Sequence, residues 1–179
     1  YPRRFKKIKI SMNIIVMKFG GTSVAGTKKL KNIANIVKRE LKNNKIIVVL
    51  SAMAGETNKL QSYLDEFQSQ NSIESDLVLT SGEQVTIGLL SAALNNLAVK
   101  SIPLLGWQIP IITDENYEKA KILEINKKRI KEYFSNNDVI VLAGFQGINL
   151  NGKITSLGRG GSDTTAVAIA SAIDAERCD

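Results

Sequence analysis

The chain has 179 residues, with 24 Lys+Arg against 17 Asp+Glu, a net charge of +7, one cysteine and no histidine. Five cations (Arg3, Arg4, Lys6, Lys7, Lys9) fall in the first eleven residues; without them 19 basic side chains face 17 acidic ones, so the basic character belongs to a tail and not to a nucleic-acid-binding face. Disulfide frameworks within the chain, Cys-based zinc sites and every mechanism that uses histidine are excluded, as is bulk disorder at 44% hydrophobic and 23% charged content.

Residues 1–11 read as a basic N-terminal extension. Its basic head and the apolar residues after it imitate a signal peptide, but Asn13 breaks the apolar stretch, Lys18 ends it and no small-residue cleavage site follows. No apolar run approaches the ~20 residues that span a bilayer, so no membrane association is expected. The lone Cys178 fits a reducing, cytoplasmic compartment.

Asn13 to Lys18 (NIIVMK) reads as a buried strand stopped by Gly20-Gly21. Leu30, Ile33, Ala34, Val37 and Leu41 then follow at helical spacing, with Thr27 at the cap. Lys45 to Leu50 is a second strand, Thr57 to Phe67 a helix, and Gln68 to Ser75 a polar connection. Leu77 to Leu97 reads as a buried helix interrupted or started near Ser81-Gly82. Lys100 to Leu105 is a third strand, followed by a long loop, Gly106 to Tyr117, which carries the only tryptophan, Trp107. Lys121 to Ile125 is a short strand, Lys127 to Phe134 a helix, and Asp138 to Ala143 a fourth strong strand. Gly147 to Ser156 reads as a hairpin turning at Asn151-Gly152, and Asp163 to Ala175 as an Ala-rich helix.

Continuously apolar strands alternating with helices predict an α/β protein: a three-layer αβα sandwich around a mostly parallel central sheet. Ligands of such sheets bind beyond the carboxyl ends of the strands, so the turns there are where chemistry is sought. Four of them carry polar residues. Lys18-Phe19-Gly20-Gly21-Thr22-Ser23 offers backbone N–H groups, two hydroxyls and a point charge; it suits a phosphate cradle or, equally, a tight strand-to-helix turn. Ser51 to Asn58 suits a ligand edge or an ordinary turn with its helix cap. Glu83 is either a first-turn acid complementing the helix dipole or the receptor for a substrate ammonium. Gly158-Arg159-Gly160-Gly161-Ser162-Asp163 sets a guanidinium among glycines just ahead of a helix, a fork suited to a carboxylate or phosphate. This set fits phosphoryl transfer to an anionic acceptor. A carboxylate acceptor, which ordinarily titrates near pH ~4, is already ionised at neutral pH and needs no general base.

KFGGTSV (18–24), VVLSAMAGETN (48–58), SGEQV (81–85), GWQ (106–108), AGFQG (143–147) and LGRGGSDTTA (157–166), in this order, resemble aspartate kinase of the amino-acid-kinase family, most closely its monofunctional, lysine-pathway branch. The resemblance implies ATP-dependent phosphorylation of the L-aspartate β-carboxylate, the first step of the lysine, threonine and methionine (diaminopimelate) pathway. It implies that Lys18 holds the transferring phosphate, with Phe19, Gly20, Gly21, Thr22 and Ser23 around the phosphate site. By the same carry-over Arg159 takes the α-carboxylate of aspartate and Glu83 its ammonium. Ser51, Thr57 and Ser162 contribute to the substrate edge, and Asp163 orients Lys18. Magnesium arrives with ATP, held mainly through phosphate oxygens.

The same resemblance implies that residues 12–179 are part of a catalytic domain. A further nucleotide-binding segment and regulatory ACT domains, which the family carries, have no counterpart in the sequence. The expectation is a truncated sheet with an open edge, poorly soluble unless a partner chain or a second copy completes it. The alternative to an active enzyme is a remnant or split-subunit fragment that binds aspartate without turning over ATP.

Overall fold

The computed structural model describes residues 13–179; the basic extension read over 1–11 lies outside them. The chain runs β1 (Asn13–Phe19), α1 (Thr27–Glu40), β2 (Asn44–Leu50), α2 (Glu56–Glu66), α3 (Ile73–Leu79), α4 (Ser81–Asn96) and β3 (Ser101–Leu104). A single 3-10 turn (Gly106–Gln108) leads into β4 (Ile111–Thr113), β5 (Ile122–Ile125), α5 (Lys127–Phe134), β6 (Val139–Ala143), β7 (Gln146–Asn149), β8 (Ile154–Ser156), α6 (Gly161–Ala172) and β9 (Arg177–Cys178).

Five strands form an all-parallel sheet in the order β3-β6-β2-β1-β9. The side chains of β1, β2 and β6 alternate between two dry layers, which explains why these strands are apolar without a polar alternate. Ile15, Met17, Ile46, Val48 and Leu50 face one layer with Leu30, Ile33 and Val37 of α1 and Ile87, Leu90 and Leu94 of α4. Ile14, Val16, Ile47 and Val49 face the other with Ile130 and Phe134 of α5 and Ala166 and Ile169 of α6. This is the expected αβα sandwich with a mostly parallel sheet. A second, four-stranded sheet, β5-β4-β7-β8, adds antiparallel pairs beside it. The expected hairpin is its β7–β8 pair; Asn149 Oδ1 accepts from the backbone N–H groups of Asn151 and Lys153 in the turn.

Three expectations need correction. The polar connection Gln68–Ser75 ends inside a helix: Ser72 and Ser75 form a reciprocal capping box that starts α3 at Ile73. The long loop after β3 holds a strand, β4, whose three residues pair with β5 and β7. Finally, the helical run Ile73–Asn96 is, by length and composition, apolar enough to cross a membrane; half of it is buried inside this fold against α1 and the sheet.

The break between α3 and α4 falls at Thr80. Its hydroxyl bonds back to the Asp76 carbonyl, and its own carbonyl accepts from the buried Gln146 side chain. Gly82 and Glu83, in the first turn of α4, meet Ala52 just beyond the end of β2. Phe19, Leu50 and Ala143 lie level in the β1-β2-β6 register, so their exit loops open on one edge.

Candidate active site

These exit loops, with the starts of α2, α4 and α6, enclose a cleft of about 830 Å³. Lys18, Gly21, Ser51, Thr57, Glu83, Arg159, Ser162 and Asp163 all line it, although they come from segments far apart in sequence.

Close backbone approach builds one wall. A Cβ on Gly21 would lie 2.8 Å from the Ala52 carbonyl oxygen, and one on Gly82 would lie 2.7 Å from the Ala52 Cβ. The loop after β2 therefore slots between the loop after β1 and the head of α4. The Ala54 N–H donates to the Gly21 carbonyl at 3.1 Å, and the Ala52 N–H donates to Glu83 Oε1 at 3.0 Å. Thr86 Oγ1 ties the same loop by donating to the Ser51 carbonyl at 2.9 Å.

The opposite wall is the head of α6. Gly160 caps it at φ +75°, a conformation that favours glycine. A Cβ on Gly144 would lie 2.8 Å from Ser162, so the exit of β6 accepts the helix start only as glycine. Asp163 in the first turn then meets Lys18 from the end of β1, with Nζ and Oδ1 2.7 Å apart. Their side chains are 23% and 69% exposed, so the pair adds little to stability, about 0–1 kcal/mol for such exposure. The contact holds the Lys18 ammonium beside the first turn of α6.

Glu83 is only 3% exposed. Oε1 is satisfied by Ala52, whereas Oε2 is buried with no hydrogen-bond partner among the described residues. Burial raises its pKa to about 7 against the pull of the backbone hydrogen bonds. A buried carboxylate with one unsatisfied oxygen is suited to a cationic donor. Arg159 makes no ion pair among the described residues and so presents its fork to the cleft uncommitted.

The sequence motif of residues 18–23 divides here. Lys18 and Gly21 reach the cleft, and a Cβ on Gly20 would make only ordinary contact with the Lys18 Nζ, at 3.4 Å. Phe19 packs on the core beneath the α1 layer. Thr22 and Ser23 are exposed and do not line the cleft; the Thr22 carbonyl accepts from Lys29 instead. Glu118, Lys119 and Ser156 also line the cleft and had no motif to mark them. The one available signal was the hairpin, which delivers Ser156 directly ahead of the Arg159 loop. Among the described residues no three His, Cys, Asp or Glu side chains cluster to hold a metal ion.

The sequence pattern of the amino acid kinase family matches residues 13–179. The chain belongs to the amino acid kinase family. It is 49% identical over 173 residues to an aspartokinase of Rickettsia felis, an alignment that spans 94% of this chain and 43% of that protein. The crystal structure of aspartate kinase from Synechocystis superposes with a TM-score of 0.80 at 37% identity, covering 92% of this chain and 27% of that one. Aspartokinase III of E. coli in complex with aspartate and ADP superposes with a TM-score of 0.82 at 24% identity, covering 93% and 48%, which supports the fold. This amino acid kinase chain thus spans well under half the length of the curated aspartokinases it matches.

Proposed function

We propose that residues 12–179 form the aspartate-binding part of an aspartokinase catalytic domain, which phosphorylates the β-carboxylate of L-aspartate at the expense of ATP. The observation that carries this reading is the cleft itself. It gathers an ammonium held by an ion pair (Lys18), an uncommitted guanidinium (Arg159) and a buried carboxylate with a free oxygen (Glu83). Those three groups complement the two carboxylates and one ammonium of aspartate. In this reading Arg159 binds the α-carboxylate bidentately and Glu83 Oε2 accepts from the substrate ammonium. Ser51, Thr57 and Ser162 fill the edge between them.

The β-carboxylate is then directed toward Lys18. One of its oxygens bonds to the γ-phosphorus of ATP as the bond to the β,γ-bridging oxygen breaks, giving an acyl phosphate and ADP. No proton moves, so a protein without histidine loses nothing. What the reaction needs is charge neutralisation and alignment. Lys18 supplies the first, with the Gly20-Gly21 backbone beside it, and Asp163 keeps its ammonium in place. ATP supplies the phosphoryl group, and magnesium comes with it, carried on phosphate oxygens. A cytoplasmic location goes with this reading, as does a further segment or second copy along β9, the edge of the five-stranded sheet.

Hydroxamate trapping of the acyl phosphate in the presence of aspartate and ATP tests the proposal. Aspartate-dependent product that Lys18→Ala abolishes supports it. The second reading is that the chain binds aspartate through Arg159 and Glu83 without turnover. Saturable aspartate binding with no trapped product would select that reading.

A further inference from the structure

Asp76 lies in α3, outside every motif that marks the cleft, and is fully buried. Among the described residues its carboxylate pairs with no cation; both oxygens are filled by donors from two separate segments. The Ser156 backbone N–H donates to Oδ2 at 2.7 Å, and the Ser156 hydroxyl donates to Oδ1 at 2.7 Å. The Glu118 backbone N–H donates to the same carboxylate at 2.9 and 3.2 Å. Burial raises the Asp76 pKa and these hydrogen bonds oppose the rise, so the ionised form depends on them.

Both tethered segments lead to Arg159. Ser156 ends β8 three residues before it. Glu118 is held at φ +61°, an unfavourable conformation for a residue with a side chain. In that conformation its carbonyl oxygen stands 2.8 Å from where a Cβ of Gly158 would lie, against the residue that precedes Arg159. Glu118, Lys119, Ser156, Gly158 and Arg159 all line the cleft.

We propose that Asp76 is a positioning residue: its buried carboxylate clamps the Glu118 turn and the end of β8 together and thereby fixes the Arg159 loop for a substrate carboxylate. The ligand part of this inference rests on the function proposed above; the clamp does not. An Asn at position 76 keeps the shape but must turn its NH2 group toward the N–H of Ser156 or of Glu118, and neither can accept. N–H then faces N–H in place of a hydrogen bond, which weakens at least one tether, and the weakening is specific to these loops.

The test uses the whole chain with Asp76→Asn, and Ile130→Val as a control. Ile130 is buried under the other face of the sheet, away from the cleft. Hydrogen exchange reads the clamp without any ligand. The expected result is faster exchange at 117–119 and 156–160, with the strands β1, β2 and β6 unchanged. Unchanged exchange in those loops, or acceleration across the strands as well, overturns the clamp. Calorimetric titration with L-aspartate reads the consequence. Affinity falls about tenfold in Asp76→Asn, as for loss of one charge-assisted hydrogen bond, and stays within about twofold in Ile130→Val. Unchanged affinity alongside loosened loops overturns the positioning role. If the unaltered chain binds no aspartate, the proposed function fails while the exchange result still decides the clamp. Should Asp76→Asn not accumulate in folded form, Ser156→Ala removes one tether and gives the same pattern at smaller amplitude.

Discussion

Glu83→Gln separates the electrostatics of the cleft from its packing. The carboxyl is 3% exposed, and burial lifts its pKa from 4.5 to about 7. Because the folded state holds the proton more tightly than the unfolded state, the stabilising contribution is complete below about pH 4.5 and is lost as pH rises through about 7. A shift of this size corresponds to about 3 kcal/mol, carried in full as a cost above pH 7. Gln cannot ionise, keeps an oxygen for the Ala52 N–H and leaves its NH2 where Oε2 now stands unpaired. Any penalty from that NH2 is the same at every pH. Urea unfolding of both proteins between pH 4.5 and 8.5 measures the difference. The expected result is a stability of Glu83→Gln relative to the unaltered chain that climbs by about 3 kcal/mol across this range and then levels. A difference that does not vary with pH would refute the reasoning, because it would mean that Glu83 titrates alike in the folded and unfolded chain.

The same group predicts that aspartate affinity rises with pH up to about 7 and then levels, since an ammonium pairs with the ionised form; the slope disappears in Glu83→Gln, as calorimetry across pH will show. Lys18→Ala lowers turnover on the order of 10²–10³-fold, while its urea midpoint barely moves because its partner Asp163 is largely exposed. Two glycines of α4 respond oppositely to alanine. Gly82→Ala drives a methyl into Ala52 and costs about 1–3 kcal/mol, whereas Gly88→Ala meets nothing within 4 Å and stabilises the helix by roughly 0.5–1 kcal/mol. Thermal melts of the pair check both signs. Phe134→Ala, which empties a fully buried site under the sheet, costs about 3–5 kcal/mol by denaturant titration.

Much of this architecture is legible in the chain because β1, β2 and β6 are apolar on both faces, and only a parallel sheet covered twice buries such runs. The helix Lys127–Phe134 is read with its observed ends because Asn126 caps it and its apolar residues keep helical spacing. The start of α3 is hidden by its chemistry: the capping box uses serine where glutamate or glutamine usually signals a helix. β4 is hidden by its length, since three residues carry no period and its partner Ile148 lies far along the chain.

The cleft divides along the same line. Lys18, Glu83, Arg159 and Asp163 stand in Gly-rich or helix-start contexts whose chemistry is visible in one dimension. Asp76 falls between the polar connection and the next helix with no motif to mark it, and its hydrogen bonds come from Glu118 and from Ser156, eighty residues away. Thr22 and Ser23 illustrate the reverse case. Their hydroxyls stand beside a glycine pair, a context visible in the sequence, but the turn leaves them exposed and outside the cleft lining.

The most direct test is a crystal structure of the chain grown with L-aspartate. The account predicts the α-carboxylate on the Arg159 guanidinium, the ammonium within hydrogen-bond distance of Glu83 Oε2 and the β-carboxylate toward Lys18. Aspartate bound in the reverse sense, held elsewhere on the molecule or absent from the cleft at saturating concentration would contradict it.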